Sequence, residues 1–272
     1  MTWPKGSTQW IDGRTLYISV PFTWSMPAVR EQCLETSFLY DRIRVGGPAV
    51  DLMPGYFDDL PQVRAGGQLP GVLQRVNPDA TRTTYGCPNR CSFCAVPKIE
   101  GSFVELEDWP DRPILTDNNL LAASMQHFHR VMDLLARHKE SDANQGLDAR
   151  LLNAEHAERI GQNRGFVARL ALDADSLRDQ WQDAYDLLRK HGTAKRRIRT
   201  YALIGWRDTP EEAWGRCKWI ESHGVMALPM WHHNLNQMTC NIVRPDQAER
   251  GWTDYERRRI MQWFYQHKQA VA

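Results

Sequence analysis

The sequence predicts an α/β protein. Its main part is a partial parallel barrel of six strand–helix units, a TIM-like (β/α)6 arrangement, with a small N-terminal α/β appendage before it and a C-terminal helix after it. From about residue 80, short β-rich runs alternate with helical patterns. Ahead of that region, Leu16-Tyr17-Ile18-Ser19-Val20 and Arg42-Ile43-Arg44-Val45 flank a helical stretch, a smaller β–α–β unit. At the end of the first run of the repeating part sits Gly86-Cys87-Pro88-Asn89-Arg90-Cys91-Ser92-Phe93-Cys94, three cysteines in a short loop.

Residues 1–15 are polar, with Gly6 and Gly13, and read as an irregular lead-in. Pro21 stops the first strand, and Pro27 suits the first turn of a helix through Ala28–Leu34. Gly46-Gly47-Pro48 ends the second strand. Residues 51–79, rich in Pro and Gly, read as a linker, which sets the expected boundaries at 1–79, 80–245 and 246–272. The six expected strands are Thr81–Gly86, Pro113–Asn119, Asn144–Leu152, Phe166–Asp173, Ile198–Trp206 and Val225–His232. Leu121, Met125, Phe128, Met132 and Leu135 recur at helical spacing within Leu120–Lys139. Leu177, Trp181, Ala184 and Leu188 do the same within Ser176–His191, and Gly192 is a stop. Thr209-Pro210-Glu211-Glu212 has the form of a helix start. A last helix over Tyr255–Lys268 should pack through Ile260, Phe264 and Tyr265.

Lys and Arg number 34 against 33 Asp and Glu, so no global field points to nucleic acid or a membrane surface. Lys195-Arg196-Arg197-Ile198-Arg199 and Arg257-Arg258-Arg259 read as solvated faces, or as phosphate contacts if they fall at the barrel's open end. The N-terminus shows no signal-peptide core and no apolar run reaches the length of a membrane span, so a cytoplasmic protein is expected. Six cysteines, three clustered and three scattered (Cys33, Cys217, Cys240), do not resemble a disulfide framework.

Thiolates spaced Cys-x3-Cys-x2-Cys can converge on a soft metal centre, zinc or iron–sulfur. A closed zinc site needs a fourth ligand, and His127 and His129 lie outside compact zinc spacing. The run, with the aromatic Phe93 before the last cysteine, resembles the signature of the radical S-adenosylmethionine (AdoMet) superfamily over roughly residues 80–245. The resemblance implies a [4Fe-4S] cluster on Cys87, Cys91 and Cys94, with AdoMet on the open iron. It also implies a one-electron reductant such as a flavodoxin or ferredoxin, and cleavage of AdoMet to a 5′-deoxyadenosyl radical that attacks a substrate. Val45-Gly46-Gly47-Pro48-Ala49-Val50 and its β–α–β setting look like the tail of a cobalamin-binding domain. That segment has only about half the usual domain length. No Asp-x-His-x-x-Gly motif occurs and no histidine precedes His127, so a structural remnant is preferred to a cobalamin site.

Working residues are expected at the carboxyl ends of barrel strands. Thr116-Asp117-Asn118-Asn119 resembles the second-strand motif that receives the AdoMet amino group, with helix capping as the competing role for Asp117. Gln145 and Asp148 are candidates for the ribose hydroxyls; strand alternation puts Asp148 and Arg150 on one side, and a structural ion pair is the alternative. Arg169 is expected to face inward and bind the AdoMet carboxylate, unless it pairs with Asp148. Gly205 resembles the late glycine beside the adenine, and Trp206 reads as core. Cys240 lies where substrate is expected and is the candidate hydrogen-atom donor, against a free structural thiol. The reaction on substrate is not legible, a nucleobase or nucleic acid being one class. The alternatives are an iron–sulfur or zinc protein without catalysis, a zinc-stabilised nucleic-acid adaptor and a radical AdoMet methyltransferase.

Overall fold

The structure is a computed structural model describing Trp3, Pro4 and residues 6–266. It is a mixed α/β fold with parallel sheets, formed as two compact units. One comprises the described residues up to Asp79 together with Cys91–Gly101 and His233–Asn241. The other comprises Ala80–Arg90, Ser102–His232 and the described residues from Ile242 onward.

The first unit carries β1 (Thr8–Asp12), β2 (Thr15–Ser19), α1 (Met26–Thr36), β3 (Arg42–Gly46), α2 (Pro48–Leu52), β4 (Val63–Ala65), α3 (Val72–Val76) and α4 (Val96–Ile99). Its sheet has the order β1-β2-β3-β4, with β1 antiparallel to β2 and the others parallel. Alternation places Leu16 and Ile18 of β2 and Ile43 and Val45 of β3 in a core with Met26, Val29 and Cys33 of α1. The expected β–α–β unit is therefore present as β2-α1-β3. Two expectations are corrected. The polar lead-in contains β1, which forms a hairpin with β2 across Gly13-Arg14, and Trp10 stacks on Tyr17 at 5.2 Å. The stretch 51–79 is no simple linker, since β4 extends the sheet and Phe57 and Leu60 join the core.

The second unit runs β5 (Ala80–Thr81), β6 (Thr84–Tyr85), β7 (Val104–Glu105), β8 (Ile114–Leu115), α5 (Met125–Leu135), β9 (Ser141–Ala143), α6 (Ala154–Gln162), β10 (Phe166–Ala171), α7 (Arg178–Lys190), β11 (Ile198–Ile204), α8 (Pro210–Ser222), β12 (Met226–Trp231), α9 (Pro245–Ala248) and α10 (Asp254–Gln266). Six strands make one sheet in the order β12-β11-β10-β9-β8-β5, every pair parallel, so spatial order follows chain order. Phe128, Met132 and Leu135 of α5 and Trp181, Ala184 and Leu188 of α7 are buried in one core, as their spacing predicts. Thr209 caps α8 in a reciprocal capping box with Glu212, and Pro210 opens that helix. Ile260 and Phe264 of α10 are buried, and Tyr265 Oη donates to the Pro229 carbonyl at 3.2 Å. The expected end of that helix, Lys268, lies outside the described residues.

Strand boundaries depart from expectation where polar turns interrupt them. The run expected over Thr81–Gly86 is two short strands in different sheets, β6 pairing antiparallel with β7. The strand expected over Pro113–Asn119 is β8, two residues long. The strand expected over Asn144–Leu152 instead ends at Ala143. Gly146 adopts φ +102°, which ends extended pairing, and Asp148 then caps a 3-10 turn over Ala149–Leu151 by accepting from Arg150 N at 3.2 Å. Asp148 and Arg150 therefore do not alternate along a strand.

Gly205, at the end of β11, has φ +76°, and a Cβ there would come within 2.4 Å of the Trp231 ring. Gly205→Ala should cost about 2–4 kcal/mol by combining left-handed backbone strain with overpacking, seen as a lower urea midpoint at unchanged slope. Gly215→Ala on α8, where a Cβ meets nothing within 4 Å, is the control and should be neutral or stabilising.

Candidate functional site

The cysteine loop leaves the second unit just after β6. Cys87 belongs to that unit, whereas Cys91 and Cys94 are assigned to the first. All three cysteines are half-buried and none is in a disulfide. Cys94 N donates to the Cys91 carbonyl at 3.0 Å, a tight turn that leads into α4 and contains the half-buried Phe93. Among the described residues, no group of three or more His, Cys, Asp or Glu side chains is gathered to hold a metal ion. The donor type nevertheless fits a cluster, because three partly accessible thiols lie within eight residues of chain. His127 and His129, the nearest downstream histidines, are engaged elsewhere, with Thr83 Oγ1 at 3.1 Å and Glu155 at 2.8 Å.

Asp117 braces the approach to the loop. Its Oδ1 accepts from Thr83 N at 2.6 Å and Thr84 N at 3.1 Å, and its Oδ2 accepts from the Thr83 hydroxyl. The Thr83 hydroxyl proton is thus committed to Asp117, which leaves Thr83 Oγ1 as an acceptor for His127 Nε2, while His127 Nδ1 faces Glu105 Oε2 at 3.6 Å. Burial lowers the His127 pKa, which favours the neutral ring. Burial also pushes the Asp117 carboxyl up, opposed by its Thr83 and Thr84 donors. The helical turn after β8 shows no side-chain cap and α5 is capped by Ser124, so helix capping is not the role of Asp117. The Thr116 hydroxyl is spent on the Thr81 carbonyl at 2.9 Å, and Asn118 is half-buried beside it in sequence.

A second network joins three loops of the same unit. Asn119 Nδ2 lies 3.4 Å from both Cys87 Sγ and Asp148 Oδ2. Asn89 Nδ2 donates to Asp148 Oδ2 at 2.6 Å, and Arg150 grips both Asp148 oxygens at 2.8 Å. Burial pushes the Asp148 carboxyl up, but Arg150 and Asn89 more than offset it, so its pKa is lowered. Asn119 is 2% exposed, and its Oδ1 has no hydrogen-bond partner. Gln145 is exposed in the turn after β9, outside this network.

The remaining candidates fall elsewhere. Arg169 pairs in bidentate fashion with Asp142 at 2.5 Å and lies over the Tyr201 ring, so its partner is Asp142 and not Asp148. The flat ring approached by the Gly205 backbone is Trp231, while Gly205 N and O bond Asp208 and Gln247. Trp206 is half-buried against His232 at 4.5 Å. Cys240 is exposed within the first unit. The Lys195–Arg197 turn precedes β11, at the amino end of the strand; Lys195, Arg196, Arg258 and Arg259 are exposed, but Arg197 and Arg199 are half-buried and the Arg257 side chain, 11% exposed, lies over the Trp231 ring, so neither run is a wholly solvated face. A cavity of about 430 Å³ in the first unit is lined by Asp51, Tyr56, Asp58 and Lys98 among others, and holds none of the candidate residues.

Sequence reasoning gave no role of their own to Asn89, Asn119 and Asp142, nor to Asp173, which it places on the Arg169 face of its strand. Asn119 closes the quoted Thr-Asp-Asn-Asn run and was legible as a polar strand end; Asp142 sits in a strand too short and polar to show a period. Burial raises Asp173 from an ordinary 3.8 to about 6, Arg216 and Arg150 opposing and Asp148 adding to the rise. No protein-family model matches the chain, and no curated protein matches it.

Asp117→Ala would strand two fully buried N–H groups, Thr83 and Thr84, and should cost about 2–4 kcal/mol in chemical denaturation. Asp117→Asn, which keeps one oxygen for them, should cost less than half as much. For Asp173 the folded state holds its proton more tightly than the unfolded chain, so its contribution to stability falls as pH rises from 3.8 to about 6. Asp173→Asn should therefore flatten the stability profile across that window and be more stable than the parent at neutral pH, by denaturation at a series of pH values.

Proposed function

We propose that this chain is a radical AdoMet enzyme, with Cys87, Cys91 and Cys94 as ligands to a [4Fe-4S] cluster. The observation that carries the reading is a Cys-x3-Cys-x2-Cys loop between the first and second strands, β5 and β8, of a six-stranded parallel sheet whose spatial order follows the chain, with β6 leading into the loop. Sequential parallel order is the topology of a (β/α) barrel, and the finer description as a partial (β/α)6 barrel rests on it. When bound, the cluster supplies the electron for reductive cleavage of AdoMet; the rest is binding and orientation by the protein.

Asp117 and His127 hold Thr83 and Thr84 and so fix where the loop begins. Asn119 Oδ1, a buried acceptor without a partner at the end of β8, suits the AdoMet amino group. Asp148, kept ionised by Arg150 and Asn89, is an acceptor for ribose hydroxyls. Arg169 is withdrawn from the carboxylate role by its pairing with Asp142. The substrate class remains open to a nucleobase, free or polymeric, a peptide or a small metabolite, and the electron donor would be a small flavin or iron–sulfur protein.

Anaerobic reconstitution with iron and sulfide, reduction with dithionite and addition of AdoMet should yield 5′-deoxyadenosine, detected by mass spectrometry. Cys91→Ala should abolish both the cluster absorption and the product. A chain that takes up zinc, shows no cluster spectrum and has no affinity for AdoMet would instead be a structural metal-binding protein.

A further inference from the structure

Asn119 stands buried between the Cys87 sulfur and the Asp148 carboxylate. Its amide nitrogen is 3.4 Å from Cys87 Sγ and 3.4 Å from Asp148 Oδ2, and the residue is 2% exposed. The two amide hydrogens can serve the sulfur and the carboxylate together. The reverse amide orientation would set Oδ1 against the Asp148 oxygen, acceptor to acceptor, so the carboxylate selects the orientation that presents N–H to sulfur. Asp148 is itself immobilised by Arg150 on both oxygens at 2.8 Å and by Asn89 at 2.6 Å. A donor oriented by this carboxylate near a ligating sulfur does more than fill space, because hydrogen bonds to cysteine sulfurs are one of the levers that set an iron–sulfur reduction potential.

We infer that Asn119, locked by the Asn89–Asp148–Arg150 network, is a tuning residue that raises the reduction potential of the centre held at Cys87, an inference that rests on the cluster reading above. The donor lowers the electron density on the Cys87 thiolate and so stabilises the more negative, reduced state. Asp148 and Arg150 then serve the redox centre through Asn119, in addition to any contact with AdoMet.

The test is a redox titration of the reconstituted full-length protein, followed by electron paramagnetic resonance of the reduced cluster without AdoMet or substrate. Asn119→Leu keeps the approximate volume and removes the donor. It should lower the ratio of reduced to oxidised cluster about tenfold at a fixed poise, a negative shift of about 59 mV for one electron. Asn119→Ala, a smaller perturbation, should shift the same way, and serves if the leucine variant fails to fold or to load. Asn119→Gln, which retains an amide donor, should recover part of the shift. A potential equal to the parent's in either donor-free variant that carries cluster overturns the inference and leaves the enzyme reading standing. Absence of a cluster spectrum in the parent protein overturns the cluster reading, and the inference with it.

Discussion

The geometry of the second unit depends on one buried carboxylate. Its first two strands are only two residues each, too short to hold a loop by ladder hydrogen bonds alone. Asp117, from the end of β8, replaces the missing ladder by accepting from two backbone N–H groups and a hydroxyl of Thr83 and Thr84. His127 steadies the same hydroxyl from α5, and Glu105 of β7 accepts from Ser124 N and Oγ at the start of that helix. Strand, turn and helix are thereby tied to one point, from which the cysteine loop departs. Burying a carboxylate is costly, and its three donors offset only part of that cost, so burial still pushes the Asp117 carboxyl up.

Two largely buried arginines of the second unit are settled against acids. Arg169 meets Asp142, and Arg216, 2% exposed, meets Asp208, Asp175 and the Leu203 carbonyl. A buried charge without a partner would be strongly destabilising, so these pairs are requirements of folding before they are candidates for function. Against that background, groups left with unmet capacity are informative. Asn119 Oδ1 is one, on the amide whose nitrogen lies 3.4 Å from Cys87 Sγ and from Asp148 Oδ2.

The proposed chemistry draws the two findings together. On that proposal, Asp117 would give the loop of soft donors a fixed base and the Asn119–Asp148 network its electrostatic setting. The first unit has a compact α/β core of its own. That core is built on the alternation of β2 and β3.

Local chemistry that travels with the sequence was determined by the sequence itself. The buried faces of α5 and α7, the capping box that opens α8, the β–α–β start and the cysteine spacing are all readable, because each rests on residues within a few positions of one another. Tertiary structure decided every matter of pairing. That Arg169 takes Asp142, that Gly205 makes room for Trp231, and that Asp117 serves Thr83 instead of a helix are contacts between residues 26 to 34 positions apart. Sequence patterns report periodicity along one segment, and they do not report which of several available acids or rings is folded against it. The strand read over Asn144–Leu152 failed for the related reason that a left-handed Gly146 and an Asp148 turn outweighed local β-propensity.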